Sequence, residues 1–255
     1  MSTADLNITL YSNPGCPYVH RTLTTLHELS IPFTPVFIDL ETPRPASYLK
    51  VNPRGTVPAL TFTSPSYNSG KEIIVNESLV IIYFLADLFP NHLIPSPGSV
   101  AGAADRARIY YVIDTWGNKV GSSLQKATLA SVTGGEDAFK EALDVAVAAV
   151  EKEIEPLLAK QERDGDGPFL GGKDRFTLAE VAIAPFLLRT FAHADGGILP
   201  SSFKERLLAL PNFGKWAQEV LKNESLLKDW NETKFLEGSR RKLQQFKDGT
   251  FKPKV

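Results

Sequence analysis

The chain has 255 residues, of which 43% are hydrophobic and 22% charged, and its 28 Lys and Arg against 29 Asp and Glu give a formal net charge of -1. This balance creates no global field that would draw the protein onto nucleic acid or an anionic membrane, so we expect neither partner. A single cysteine excludes an intramolecular disulfide framework and favours a reducing compartment. With no signal-like start and no apolar run near the ~20 residues that span a bilayer, a cytoplasmic protein is expected.

The first part of the chain alternates strand and helix patterns. Ile8–Tyr11 is a short apolar run that ends in the turn Ser12-Asn13-Pro14-Gly15, and helix-spaced apolar residues follow it. The next strand and helix patterns occupy, in order, Pro35–Ile38, Ala46–Lys50, Val57–Thr63, Glu72–Val75 and a helix from Glu77 that stops before Pro90. The order βαβαββα predicts an α/β domain over residues 1–89.

A cluster of helix breakers from Pro90 to Gly102 predicts a linker, after which strand patterns largely disappear. Helical spacing covers Ala103–Leu129, Glu136–Ala159, Leu178–Phe191 and Pro211–Asn223. Residues 103–238 are therefore predicted to form an all-α domain. The basic stretch from Arg240 onward has few apolar residues, so a mobile tail is predicted over residues 239–255, a weak contact site for anions being the alternative.

Cys16 carries the most chemical information, because it follows a strand and opens a helix. The N–H groups and dipole of a helix N-terminus stabilise a thiolate, and Pro17 at an early helical position costs no hydrogen bond. Such positions can lower a cysteine pKa from about 8.5 into a range of about 3.5 to 7.5. We expect a reactive thiolate, the alternative being a buried, inert thiol. Val19 stands where a dithiol motif would have its second cysteine, so Cys16 must use an external thiol.

Three further positions suggest a ligand site. Arg21 follows on the same helix, where its cation can hold the thiolate or an adjacent carboxylate, unless it is a solvated surface arginine. A cis Val57-Pro58 bond would turn the Val57 backbone toward a ligand, whereas a trans edge-strand proline is the plainer alternative. The segment Asn76-Glu77-Ser78 precedes a helix, which indicates either simple capping or a site for a ligand with both an amine and a carboxylate.

Taken together, these features resemble a known family. The thioredoxin-like order of elements, the run Cys16-Pro17-Tyr18-Val19-His20-Arg21, Val57-Pro58 and Glu77-Ser78 resemble the glutathione transferase superfamily. The Cys-Pro-aromatic-x-x-Arg run is similar to the omega class. The segment Phe176–Val181 is similar to the capping box and hydrophobic staple of that family's buried helix, with Thr177 capping and Glu180 reaching back. The resemblance implies a thioredoxin-like N-terminal domain followed by an all-α C-terminal domain.

The resemblance also implies a binding mode for glutathione as co-substrate. In that mode Pro58 is cis, the Val57 backbone pairs with the cysteinyl part, and Glu77 and Ser78 hold the γ-glutamyl group, while Pro17, Tyr18 and Arg21 support Cys16. Arg44 matches the place of a lysine that reaches the glycyl carboxylate in omega-type sequences, and an arginine would bind it bidentately. Lys50 and Arg54 are rivals for that contact.

The second substrate is expected against the first helix after the linker. Candidate lining residues on that helix are Tyr110, Ile113, Asp114 and Trp116, although aromatics at helical spacing are more often core or interface residues. The four histidines show no paired metal spacing, so no metal is expected.

The resulting hypothesis is an omega-like glutathione transferase with a cysteine nucleophile. It would transfer thiols through a mixed disulfide between Cys16 and glutathione, acting on glutathionylated proteins, glutathionyl ketones or dehydroascorbate. The alternatives are a non-catalytic carrier of small hydrophobic or aromatic ligands on the same fold, and a transferase that forms carbon-sulfur bonds or isomerises in a biosynthetic pathway. The family resemblance further implies a homodimer.

Overall fold

The computed structural model describes residues 6–88, 90–159 and 166–251. These residues divide into two compact units, one that ends at Asn91 and one that runs from His92 to Phe251. The division lies inside the breaker-rich segment 90–102, and the first helix of the second unit begins within that segment, at Val100.

The first unit combines one sheet with three α-helices. Its elements are β1 (Asn7–Ser12), α1 (Pro17–Glu28), β2 (Thr34–Phe37), α2 (Ala46–Val51), β3 (Ala59–Thr63), β4 (Ile73–Asn76) and α3 (Ser78–Asp87). The strand order is β2-β1-β3-β4, with β1 and β2 parallel and the other two pairs antiparallel. The predicted order of elements is confirmed.

The register of the sheet gathers three turns at one end. Tyr11, near the end of β1, pairs with Ala59 at the start of β3. Ala59 in turn pairs with Asn76 at the end of β4. The loop that follows β1, the residues that precede β3 and the residues that follow β4 therefore leave the sheet side by side. The alternation of strand side chains buries Ile8 and Leu10 beneath the helices and fixes this register, because a slip by one residue would expose them.

The second unit is helical, as predicted. Its helices are α4 (Val100–Thr115), α5 (Gly121–Thr133), α6 (Glu136–Glu153), α7 (Glu155–Ala159), α8 (Leu178–Asp195), α9 (Ser201–Leu208), α10 (Phe213–Val220), α11 (Glu224–Leu227) and α12 (Glu232–Lys247). The helix predicted over Ala103–Leu129 is divided by a π-helical turn at Trp116–Val120. None of the helices in the described ranges is long and apolar enough to cross a membrane.

The start of α8 is the capping box that the sequence predicts. The Thr177 hydroxyl accepts from the Ala179 N–H at 3.1 Å, and the Glu180 carboxylate accepts from the Thr177 N–H at 2.8 Å. Phe176 and Val181, the predicted staple residues, are both fully buried.

The prediction of a mobile tail from residue 239 is wrong for residues 239–247, which belong to α12. Asn231 caps that helix with its side chain, and Phe235 stacks on a histidine of α8 with ring centroids 4.9 Å apart. This helix has no clear signal in the sequence, because it contains many basic residues and few apolar ones. Residues 252–255 of the predicted tail lie outside the described part of the chain.

Candidate active site

Cys16 is the N-cap of α1, and Pro17 occupies the first helical position. Asn13 shapes the turn that leads to it: its backbone carbonyl accepts from the Cys16 N–H at 3.0 Å, and its side-chain oxygen accepts from the Gly15 N–H at 3.1 Å. The Asn13 amide also donates to the Ile38 carbonyl at 3.0 Å, which fastens the turn to the end of β2. Cys16 is partly exposed, so it is not the fully buried thiol of the alternative prediction.

The Val57-Pro58 peptide bond is cis, as the resemblance implies. The Val57 carbonyl accepts a long contact from Cys16 Sγ at 3.8 Å, so the thiol and this backbone segment are neighbours. The preceding Thr56 carbonyl accepts from the Asn52 amide at 2.8 Å and from the Tyr48 hydroxyl. Burial raises the pKa of Tyr48 to about 12, so its hydroxyl is a donor at any physiological pH.

Glu77 and Ser78 form the start of α3, yet the N-cap side chain makes no capping hydrogen bond. Glu77 adopts φ 73°, a left-handed conformation that costs a non-glycine residue on the order of 1–3 kcal/mol and clusters at functional sites. The alternative prediction, that the Glu77 side chain simply caps α3, is therefore wrong. Ser78 is buried, and the Glu77 side chain is largely exposed.

Arg21 is buried, with only 6% of its surface exposed, so the reading as a solvated surface arginine is wrong. Its Nη1 donates to Ser78 Oγ at 3.2 Å, and the guanidinium lies 5.4 Å from the centre of the Tyr18 ring. Burial lowers the pKa of Arg21 to about 10, and interactions with Tyr18, Tyr83 and Cys16 oppose that shift. Arg21 thus remains a cation and interacts electrostatically with the candidate nucleophile.

The three candidate cations for the glycyl carboxylate differ in their surroundings. Arg44 donates Nε to the Gly55 carbonyl at 2.9 Å and Nη1 to the carbonyls of Asp39 and Thr42 at 2.9 and 2.6 Å, which ties its loop together. Lys50 is exposed on α2. Arg54 Nη1 lies 2.5 Å from Glu77 Oε1. Of the three, the structure brings Arg54 to the residues predicted to bind glutathione.

The four candidates for the second substrate site are not gathered on one surface of the helical unit. Ile113 and Trp116 are buried in its core, at 3% and 1% exposure. Asp114 is exposed and accepts from the Asn118 amide at 2.8 Å, and the Tyr110 hydroxyl accepts from Arg106 Nη2 at 3.2 Å. Ile113 and Asp114 are consecutive residues of the regular helix α4, about 100° apart around its axis, so one faces the core and the other faces solvent. Trp116 lies beyond them, at the start of the π-helical turn.

The histidines pack rather than cluster. His193 stacks on Phe235 and shares a hydrogen bond of 3.0 Å with Ser239 Oγ. Burial, helped by the Arg189 cation, lowers the pKa of His193 to about 4. Within the described ranges, no group of three or more His, Cys, Asp or Glu side chains is placed to hold a metal ion.

Comparison with known families gives this geometry a context. Residues 15–88 match the family described as glutathione S-transferase, N-terminal domain, and residues 109–195 match glutathione S-transferase, C-terminal domain. The chain belongs to the glutathione transferase superfamily. Cys16 and the residues that surround it lie within the first match.

Solved structures and curated proteins refine the class. The glutathione transferase described here resembles the crystal structure of glutathione transferase Omega 1C from Trametes versicolor, with 28% identity, a TM-score of 0.70 and coverage of 93% of this chain and 97% of that one. Omega 2S from the same fungus, in complex with 2,4-dihydroxybenzophenone, is 28% identical with a TM-score of 0.67, covering 92% and 99%. The probable glutathione S-transferase DHAR1, cytosolic, of Oryza sativa subsp. japonica is 23% identical over 84% of this chain and 83% of its own length. The enzyme is therefore omega-like.

Proposed function

We propose that this omega-like glutathione transferase transfers thiols with Cys16 as its nucleophile. The Cys16 thiolate attacks the glutathione sulfur of a mixed disulfide, forms a Cys16-glutathione disulfide and releases the other sulfur as a thiolate. A second glutathione thiolate then attacks the glutathione sulfur of that adduct, so glutathione disulfide leaves and Cys16 is restored. The observation that carries the proposal is a partly exposed cysteine at the N-cap of α1, beside the Val57 carbonyl.

The proposed position of glutathione follows from the three turns at one end of the sheet. The Val57 backbone would pair with the cysteinyl part, which sets the glutathione sulfur near Cys16. Glu77 and Ser78 would receive the γ-glutamyl amine and carboxylate. Arg54 is the better candidate for a further carboxylate contact, because the Arg44 donors already serve three backbone carbonyls. Glutathionylated proteins fit the attack by Cys16 directly. From a glutathionyl ketone, the same attack on sulfur would release an enolate, which takes up a proton. Dehydroascorbate would take up two electrons and two protons from the Cys16 thiol and a glutathione thiol, which become the Cys16-glutathione disulfide.

The decisive experiment replaces Cys16 by serine. We expect Cys16→Ser to reduce hydroxyethyl disulfide at the background rate, because an alcohol cannot form the disulfide intermediate. Conjugation of glutathione to an electrophilic aromatic halide should persist or rise, since the hydroxyl can still donate to the glutathione sulfur.

The intact mass provides the control for this experiment. Glutathione disulfide should leave one reducible adduct on the wild-type chain and none on Cys16→Ser, and no other cysteine can confuse the result. Full thiol-transfer activity in the serine variant would refute the mechanism.

A second candidate function is the carriage of small aromatic ligands. It is favoured by the fungal relative that was crystallised with 2,4-dihydroxybenzophenone. Enzyme blocked at Cys16 by iodoacetamide should then still bind that compound in a fluorescence titration. Binding without any thiol transfer by the unblocked enzyme would favour the carrier over the catalyst.

We also propose that the enzyme is a cytoplasmic homodimer. The cytosolic rice relative supports the compartment. Two apolar side chains of the first unit are exposed, Ile74 at 43% and Val80 at 51%. They support a homodimer in which a second copy of the chain covers them. Cell fractionation tests the compartment, and light scattering coupled to size exclusion tests the mass in solution.

A further inference from the structure

Arg21 lies between the two ends of the candidate site. Its Nη1 donates to Ser78 Oγ at 3.2 Å, at the proposed γ-glutamyl end. Toward the sulfur end, it lies on α1, the helix whose N-cap is Cys16, and its guanidinium is 5.4 Å from the centre of the Tyr18 ring. Burial lowers the pKa of Arg21, and electrostatic attraction to Cys16 is among the interactions that oppose this shift. Burial keeps water from screening these interactions, so the guanidinium acts over a longer range than a surface charge would.

The hydrogen bond to Ser78 also orients that hydroxyl. A serine oxygen can accept two hydrogen bonds and donate one. Because the Ser78 oxygen accepts from Arg21, its own proton is directed to another acceptor. A carboxylate that receives this proton would stand close to the guanidinium, in the same field as the Cys16 thiolate.

We propose that Arg21 is a positioning residue whose charge interacts in turn with the Cys16 thiolate and with the α-carboxylate of the γ-glutamyl group, which couples the two ends of the site. The proposal rests on the proposed binding of glutathione at Glu77 and Ser78. In the free enzyme the cation stabilises the thiolate. When Cys16 has become a neutral mixed disulfide, the same cation holds the γ-glutamyl carboxylate and keeps the glutathionyl group in place for the second attack.

Linkage fixes the sign of the effect. A carboxylate that arrives beside Arg21 disfavours a second negative charge on Cys16, so it raises the pH at which the thiolate forms. By reciprocity, a ligand with that carboxylate binds the thiol form more tightly than the thiolate form. A shift of about one pH unit in the thiolate midpoint corresponds to about a tenfold ratio of the two dissociation constants.

The experiment titrates Cys16 through the ultraviolet absorbance of its thiolate, with Cys16→Ser as the baseline. The ligand is γ-glutamyl-alanyl-glycine, which has no sulfur, and its partner is 4-aminobutanoyl-alanyl-glycine, which lacks the α-carboxylate. We expect the first peptide to raise the thiolate midpoint by about one unit and the second to leave it in place.

Variants then assign the coupling to Arg21. Arg21→Met should raise the midpoint of the free enzyme and abolish the peptide-induced shift, whereas Arg21→Lys should keep part of both. Ser78→Ala retains the cation and should weaken only the shift. If Arg21→Met does not fold, the lysine and Ser78→Ala variants carry the comparison. The matched control is Arg189→Met, which removes an equally buried arginine of the helical unit and should leave the thiolate titration unchanged.

The same titration distinguishes the effect of Arg21 from that of other titratable groups near the site. Tyr48 on α2 interacts with Cys16, and Tyr18 and Tyr83 interact with Arg21. His20 lies on α1, one turn beyond Cys16, with its N–H on the Cys16 carbonyl at 3.1 Å. A His20→Gln variant should show the same peptide-induced shift as the wild type.

Two results would overturn the coupling: a wild-type midpoint that stays in place while the first peptide binds, or a shift that survives in Arg21→Met. Failure of the wild type to bind that peptide would remove the proposed glutathione site, and the coupling with it. An intact shift in an enzyme that shows no thiol transfer would instead uphold the coupling and refute only the proposed reaction.

Discussion

The starts of α8 and α3 each carry an acidic residue, and the two residues are used in opposite ways. At the start of α8, Glu180 is completely buried and accepts four hydrogen bonds, two from Thr177 and one each from the Leu170 N–H and Trp216 Nε1. At the start of α3, Glu77 is 56% exposed, makes no capping bond and adopts a left-handed backbone conformation.

The difference separates a structural carboxylate from one that we propose binds glutathione. Every donor around Glu180 belongs to the protein, so the group is satisfied without a ligand and holds three segments together. The backbone conformation of Glu77 is unfavourable in free energy, and its side chain does not cap α3. Its exposed ion pair with Arg54 contributes at most about 1 kcal/mol of stability. A strained residue of this kind is typical of functional sites, which supports the proposed contact of Glu77 with the γ-glutamyl group.

The largest expected effect comes from removing the buried carboxylate at the start of α8. Glu180→Ala leaves several buried donors without an acceptor, which should lower the free energy of unfolding by on the order of 4 kcal/mol. Urea unfolding followed by tryptophan fluorescence measures this change. The matched control is Glu136→Ala, in the exposed first turn of α6, for which we expect less than about 0.5 kcal/mol. Equal effects of the two substitutions would remove the structural role of Glu180.

The next effect concerns the opposite end of α8, where His193 is kept neutral. Its pKa is lowered to about 4 in the folded protein, against about 6.5 in the unfolded chain. Between these values only the unfolded chain takes up the proton, so the stability present above pH 6.5 is lost as the pH falls toward 4. The loss should reach on the order of 2–3 kcal/mol.

His193→Phe keeps an aromatic ring against Phe235 and removes the titration. Urea unfolding of both proteins at neutral pH and near pH 5 measures the contribution, because all other groups are shared. The wild type should lose more stability on acidification than the variant does. A parallel loss in both proteins would mean that His193 titrates normally.

The smallest expected effect concerns Glu77 and Ser78 at the start of α3. Glu77→Ala and Ser78→Ala should each raise the KM for glutathione by about tenfold, because each removes a polar contact to the γ-glutamyl group. Alkylation of Cys16 by iodoacetamide at neutral pH should survive, and Glu77→Ala should change the unfolding free energy by less than about 1 kcal/mol. Steady-state kinetics against hydroxyethyl disulfide measure the KM. If neither variant changes it, both residues have structural roles only.

Local signals in the sequence predicted most of the fold. The strand and helix order of the first unit, the helix that opens after Cys16 and the capping box at Thr177 and Glu180 are all present. Each of these signals lies within a few residues, where hydrophobic period and turn chemistry act directly. The basic composition of α12 gave no such signal, so its helix was missed.

Sequence by itself determined which residues stand at the turns: Cys16 after β1, Val57-Pro58 before β3 and Glu77-Ser78 after β4. Only the tertiary structure decided that the sheet register brings these turns together and that Arg21 is buried against Ser78. It also decided that Arg54 reaches Glu77, while Arg44 donates to the carbonyls of Asp39, Thr42 and Gly55. The physical reason is range: turns and periods are encoded by neighbours along the chain, whereas a buried hydrogen bond between distant helices depends on the packing of the whole unit.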